Sequence, residues 1–179
     1  VDEAVRAGAD YVDARHVVDE AERIVAHNGK LERVSHDTSD GVGVRALADG
    51  AWGFACEPGH DEAAIARAAR TAVAIARAAA RVSRARVRLS ETEPARGVFA
   101  TPVAVDPFAV PIDQKCDLAV RASEAAHGSS PLVKSSEVVL AARRQTKHFV
   151  SSEGADTSQT LVVTAAGLND VVADDSAAG

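Results

Sequence analysis

Two short turns constrain this chain more than any other feature. Asn28-Gly29 and Asp49-Gly50 each join residues that tolerate positive φ, as a type I′ hairpin turn requires, and each stands between β-favourable runs. Tyr11 to Val18 and Ile24 to His27 lead into the first turn, and Leu31 to Ser35 returns from it. Val42 to Ala48 and Ala51 to Cys56 flank the second. The expected product is an antiparallel meander ending near Glu57. In its last strand Trp52, Phe54 and Cys56 fall on one face, because side chains alternate with a period of two.

Residues 1–9 read as the tail of a helix. After the meander, Pro58-Gly59 breaks the chain and Asp61-Glu62 places negative charge where a helix amino terminus favours it. The Ala- and Arg-rich run that follows predicts a helix to about Arg84. Its Ile65, Ala69, Ala72, Val73, Ala76 and Ala80 form an apolar stripe. Arg67, Arg70, Arg77, Arg81, Arg84 and Arg88 fall within a wedge of roughly 100° at 3.6 residues per turn. Pro94, Pro102, Pro107 and Pro111 mark residues 90–111 as an extended connector. Ile112 to His127 predicts a second helix, with Ile112, Cys116, Ala119, Val120, Ser123 and Ala126 on one face and Gly128 as its stop. Leu132 to Leu140, Arg143 to Ser151 and Thr157 to Ala165 are strand candidates, with a turn at Ser152 to Ala155. The order strands, helix, helix, strands predicts an α+β fold: antiparallel sheet with two main helices packed on one face.

The core must be compact. Hydrophobic residues make up 46% of the 179 and aromatic ones 3%, so the packing rests on Ala, Val, Leu and Ile in closely approaching elements. A net charge of −6 excludes a general nucleic-acid or anionic-membrane binder, which needs positive surface to displace counterions. No run of about 18 apolar residues is present for a membrane-spanning helix. Cys56 and Cys116 have no disulfide spacing and are expected to be reduced, buried thiols.

The residues bear on three kinds of chemistry. For metals, the nearest histidines, His27 and His36, are nine residues apart and no cysteine neighbours a histidine, so no local zinc pattern exists. His60 beside Asp61-Glu62 reads as a polar helix start. For nucleophilic catalysis there is no Gly-x-Ser-x-Gly elbow, and Ser151-Ser152-Glu153-Gly154 reads as turn chemistry. Gly41-Val42-Gly43-Val44-Arg45-Ala46 satisfies a relaxed dinucleotide fingerprint, yet it runs as a strand into Asp49-Gly50, whereas that fingerprint must open a helix. Its glycines mark close backbone packing, or the approach of an extended ligand. The arginine stripe reads as a solvated or subunit-contacting helix face. Arg45, a charge in an apolar strand, projects from the polar face or pairs with a carboxylate such as Asp13 or Asp49. No catalytic or metal-binding residue is therefore expected in this chain.

The combined motifs resemble the TldD/PmbA family, once called modulators of DNA gyrase. They are Ala9 to Arg15, Asn28 to Glu32, Gly41 to Arg45, Gly50-Ala51-Trp52-Gly53-Phe54, the Ala-rich helix, Asp106-Pro107 leading to Lys115, and Ser152 to Gly154. In order and spacing they cover about residues 8–170. The structural signature is Gly41, Gly43, Arg45, Gly50, Trp52, Gly53 and Phe54, with Arg67, Arg70, Arg77 and Arg81 as a helix contact face. The stretch from Asp106 to Lys115 resembles the metal-bearing TldD-type subunit more than its PmbA-type partner.

The resemblance implies the amino-terminal domain of a cytoplasmic, dimeric zinc metallopeptidase that acts on unfolded peptides. In the family, a His-Glu-x-x-x-His motif and a later Cys in the carboxy-terminal half bind the zinc, and the Glu is the general base. No residue here inherits those roles, so no cofactor is expected in this chain. Residues 1–170 would be the amino-terminal domain and 171–179 the start of a connector to the metallopeptidase half, in keeping with a chain that opens at Val1 without an initiator Met. The implied roles are dimerisation with a second TldD/PmbA-type subunit and enclosure of peptide, with no nucleic-acid or membrane partner. The alternative is a stand-alone peptide-binding or assembly module without the catalytic half.

Overall fold

Both expected turns form. In the computed structural model, which describes residues 1–174, Asn28 and Gly29 have φ of 49° and 75°, and Asp49 and Gly50 have φ of 53° and 77°. They join β1 (Tyr11–His27), β2 (Lys30–Ala48) and β3 (Ala51–Pro58). The register from Gly41 opposite Pro58 to Ala48 opposite Ala51 closes tightly on the Asp49-Gly50 tip.

The remaining elements are α1 (Asp2–Arg6), α2 (Glu62–Ala80), β4 (Arg96–Ala100), α3 (Ile112–His127), β5 (Val133–Ser151) and β6 (Asp156–Val172). The strands form one six-stranded sheet in the order β3-β2-β1-β5-β6-β4. The fold is α+β with a mostly antiparallel sheet. One pairing departs from that expectation: β4 runs parallel to β6, with Arg96 opposite Asp156 and Ala100 opposite Thr160. Residues 96–100 lie within the stretch that its prolines mark as an extended connector. The intervening Val98 and Phe99 are β-favourable, and a strand at the sheet edge tolerates flanking prolines because only one side of its backbone is paired.

The strands are also longer than the alternation of the sequence indicated. From Lys30 to Asp40, β2 has no β3 residue opposite it. That segment carries Lys30, Glu32, Arg33 and Asp37, charges of the kind that keep an exposed edge from recruiting another chain. The connector expected over 171–179 lies outside the described residues from 175 onward, and Val171 and Val172 close β6.

Two compact units are interleaved along the chain. One contains Val1–Asp19, Ser39–Ala100 and Gln145–Thr160. Its core sets Val12 and Ala14 of β1 and Val42, Val44 and Ala46 of β2 against Ala68, Ala69, Ala72, Val73 and Ala76 of α2. Asp61 caps α2 through an Oδ1 that accepts the Ala64 N–H at 2.7 Å. The helix ends at Ala80 rather than near Arg84. Val82 and Ser83 N–H both turn back to the Ala79 carbonyl, so its last turn is tied off early and Arg84 and Arg88 lie beyond it.

The other unit contains Glu20–Thr38, Thr101–Arg144 and the residues from Leu161 onward. Here Ala119 of α3 packs with Ile24, Ala26 and Val138. The helix keeps its expected bounds and most of its expected face; Ile112, in its first turn, is exposed. Among the described residues no helix is long and apolar enough to cross a membrane.

Candidate functional site

The glycine-rich hairpin is a packing device in which each glycine has a different neighbour. Gly53 lies directly under α2: a Cβ there would stand 2.5 Å from the Ala76 nitrogen and closer still to the Ala72 carbonyl oxygen. A Cβ on Gly43 would meet the Phe54 ring at 3.2 Å, and one on Gly41 the Glu57 carbonyl at 3.1 Å. Gly50, at the turn tip, has the Arg86 side chain against it. The helix-facing row of β3 is thus Ala51, Gly53 and Ala55, while Phe54 and Cys56 of the opposite row are exposed. Both cysteines are free thiols, but the expectation that they are buried fails: Cys56 is exposed and Cys116 half-buried. The alternation places Cys56 on the sheet face that α2 leaves uncovered. At Cys116, burial and then the neighbouring Asp117 and Glu22 push the thiol pKa up, so this sulfur is not an activated nucleophile.

Arg45 chooses Asp13 of the two carboxylates considered for it. Its Nε and Nη2 donate to Asp13 Oδ2 at 2.8 and 2.6 Å, and Arg15 Nη1 donates to Oδ1 at 2.6 Å. Asp13 has no solvent exposure, so two half-exposed guanidiniums compensate one fully buried carboxylate. The Arg45 guanidinium also lies 4.5 Å from the Trp52 ring centroid, and Tyr11 meets Trp52 edge-on at 5.8 Å. With its donors committed in this way, Arg45 organises the hairpin. Asp49 instead serves the turn, and its N–H donates to Asp10 Oδ2 at 3.1 Å.

Burial and the Asp13 carboxylate raise the Tyr11 pKa above 10.0. A raised folded-state value means that the contribution to stability is present below the unfolded value and is lost as pH rises through the folded one. Tyr11 is the only tyrosine, so tyrosinate absorbance reads it alone. Its midpoint is expected above 10.0, falling toward that value in Asp13→Asn; a midpoint at or below 10.0 in the parent chain contradicts this arrangement.

The arginines of α2 are largely satisfied within the unit. Arg67 pairs with Glu57 at 3.0 Å and Arg70 with Glu3 at 2.9 Å, while Arg77 crosses Gly8. Arg81 is the carboxy-terminal cap residue. At the other end of α2 lies a group that the sequence spacing did not reveal. His16 Nε2 is 2.7 Å from Asp40 Oδ1, and His60 Nδ1 is 2.8 Å from Asp40 Oδ2. The His16 hydrogen bond is the main cause of an Asp40 pKa below the ordinary carboxylate value. The signal was present in the alternation: His16 continues the row of Val12 and Ala14, and Asp40 that of Val42 and Val44.

The second unit explains the Asp106 to Lys115 motif. Lys115 Nζ donates to the Pro107 carbonyl at 3.0 Å and pairs with the buried Glu22 at 2.6 Å. Arg144 joins Asp106 at 2.5 Å to Glu20 at 2.9 Å, with its guanidinium 4.6 Å from the Phe108 centroid. Sequence reasoning marked Lys115 but missed Glu22, which lies among polar neighbours in the sequence. The Ser151 to Gly154 segment is the expected turn, Ser151 Oγ accepting the Ala155 N–H at 3.2 Å and Gly154 adopting φ of 90°.

These are the sequence positions at which a known domain is recognisable: residues 12–76, from β1 through most of α2, match PmbA/TldA metallopeptidase domain 1. Those residues are similar to the first domain of the TldD/PmbA family. Solved structures share the fold over most of the chain. A protein of Bacteroides thetaiotaomicron described as a modulator of DNA gyrase is similar with a TM-score of 0.73 at 12% identity, over 97% of this chain and 40% of that one. TldE from Thermococcus kodakarensis is similar with a TM-score of 0.70 at 14% identity, over 94% of this chain and 37% of that one. A Thermotoga maritima protein, also described as a modulator of DNA gyrase, gives 0.64 at 16% identity, over 92% and 39%. This chain therefore spans well under half the length of each of these proteins. No curated relative matches in sequence.

Proposed function

We propose that this TldD/PmbA domain is the accessory part of a TldD-like zinc metallopeptidase: it assembles with a second TldD/PmbA-type subunit and encloses unfolded peptide in the cytoplasm, while the reaction belongs to a carboxy-terminal half. The observation that carries the reading is the match of residues 12–76 to the first domain of a metallopeptidase. The commitments of the hairpin side chains agree with it, since Arg45, Asp13 and Trp52 are engaged with one another.

Peptide would be held by strand addition, a mode that supplies backbone hydrogen bonds with little sequence preference. β4 is suited to it, lying at the sheet edge with Val98 and Phe99 exposed. The zinc would be held by the His-Glu-x-x-x-His motif of the other half, and no residue here supplies that motif. The isolated chain, supplied with zinc, is expected to leave an unfolded fluorogenic polypeptide intact. Hydrolysis that persists through purification to homogeneity would overturn the reading.

A further inference from the structure

We propose that His16, Asp40 and His60 form a binding site for a divalent ion of the zinc class, separate from any catalytic zinc of the peptidase. One donor atom from each residue lies within 4.8 Å of the other two. The two imidazole rings are 4.5 Å apart between centroids and tilted by 38°, with both ring nitrogens directed at the same carboxylate. Tetrahedral zinc at about 2.0–2.2 Å from nitrogen and oxygen places its donors about 3.3 Å from one another.

The backbone holds the three donors in place. His16 and Asp40 are fixed at the ends of apolar rows in β1 and β2. His60 sits between two pinned neighbours: the Gly59 N–H donates to the Asp40 carbonyl at 2.9 Å, and Asp61 caps α2. Gly59 adopts φ of 73°, a left-handed conformation that swings His60 back over Asp40 and that a side chain would strain. Two imidazoles and one carboxylate suit zinc and its transition-metal neighbours, and give magnesium too few oxygens. Three protein donors leave a coordination position for water or an outside ligand. His16 and Asp40 are 32% and 38% exposed and His60 61%, so an ion enters without unfolding anything. In the bound state the ion ties the entry of α2 to the sheet, taking the place of the hydrogens that now lie between the two imidazoles and Asp40.

The test is calorimetric titration of the tag-free chain with zinc chloride in a non-chelating buffer, with magnesium chloride as a parallel titrant. One zinc per chain and no magnesium uptake are expected. His16→Ala and His60→Ala should each weaken zinc by about a hundredfold or more, because loss of outer-sphere partners alone costs about 10–100-fold. His148→Ala is the control, since that imidazole pairs with Asp156 instead, and it should bind as the parent does. Imidazole nitrogen resonances of the parent chain give a reading that depends on no variant folding: zinc should move those of His16 and His60 first. Failure to take up zinc below millimolar concentration, uptake unchanged in both alanine variants, or first movement at other histidines would overturn the site.

Discussion

Gly53→Ala is expected to destabilise the domain by about 3 kcal/mol, at the upper end of the usual cost of overpacking a core. The reason is what the new methyl group would strike. Side-chain atoms can rotate away, but the Ala72 oxygen and Ala76 nitrogen are helix backbone, so α2 must move as a body. Moving it lifts Ala68, Ala69, Ala72, Val73 and Ala76 off the sheet together, and small side chains have no length with which to refill the gap. For a chain of this size about 3 kcal/mol corresponds to a fall in Tm of roughly 6–12 °C. Gly167→Ala is the matched control, because its Cβ would meet nothing within 4 Å and should leave Tm nearly unchanged. Thermal unfolding followed by circular dichroism checks both. A Gly53→Ala protein as stable as its parent would show that α2 does not pack on β3 this closely.

Lys115→Met should cost a similar amount, about 3–5 kcal/mol, for an electrostatic reason. Glu22 has 8% side-chain exposure and Lys115 14%, so removing the ammonium leaves a carboxylate that water cannot reach. Replacing both partners, as in Glu22→Leu with Lys115→Met, removes the stranded charge and should recover most of the loss. By contrast, Arg67→Ala breaks a pair whose side chains are 52% and 29% exposed and should cost less than about 1 kcal/mol. Urea unfolding midpoints order the three variants. A Lys115→Met chain no weaker than Arg67→Ala would contradict a buried pair.

The comparison of sequence with structure separates local from distant information. Asn28-Gly29 and Asp49-Gly50 were readable because a positive φ is demanded of particular residues at particular places. The bounds of α3 were readable from Pro111 and Gly128, and the alanine face of α2 from its periodicity. Arg45 was readable as a charge that either projects from the polar face or pairs with a carboxylate, and Asp13 decides for the second.

What escaped reading depends on partners far along the chain. The polar stretch Ser35 to Asp40 shows no strand alternation because its residues are mostly exposed on both faces, and it stays extended as part of a continuous paired strand. The β4 segment owes its strand to β6, some sixty residues later. His16, Asp40 and His60 are separated by 24 and 20 residues, beyond any local ligand spacing, and only the hairpin and the Gly59 turn gather them. Close backbone packing was legible in the glycines, but the partner that demands it was not. Gly53 is required by a helix that the sequence places after it.

The proposal that this domain contributes to a peptidase without performing its chemistry is tested most directly by hydrolysis of an unfolded fluorogenic polypeptide in the presence of zinc. The measurement compares the chain alone with the same chain joined to a carboxy-terminal half that carries His-Glu-x-x-x-His. Cleavage by the joined protein and none by the chain alone is the expected result. Equal cleavage by both, or cleavage by the chain alone that disappears in His16→Ala, would contradict the account by placing the reaction within these residues.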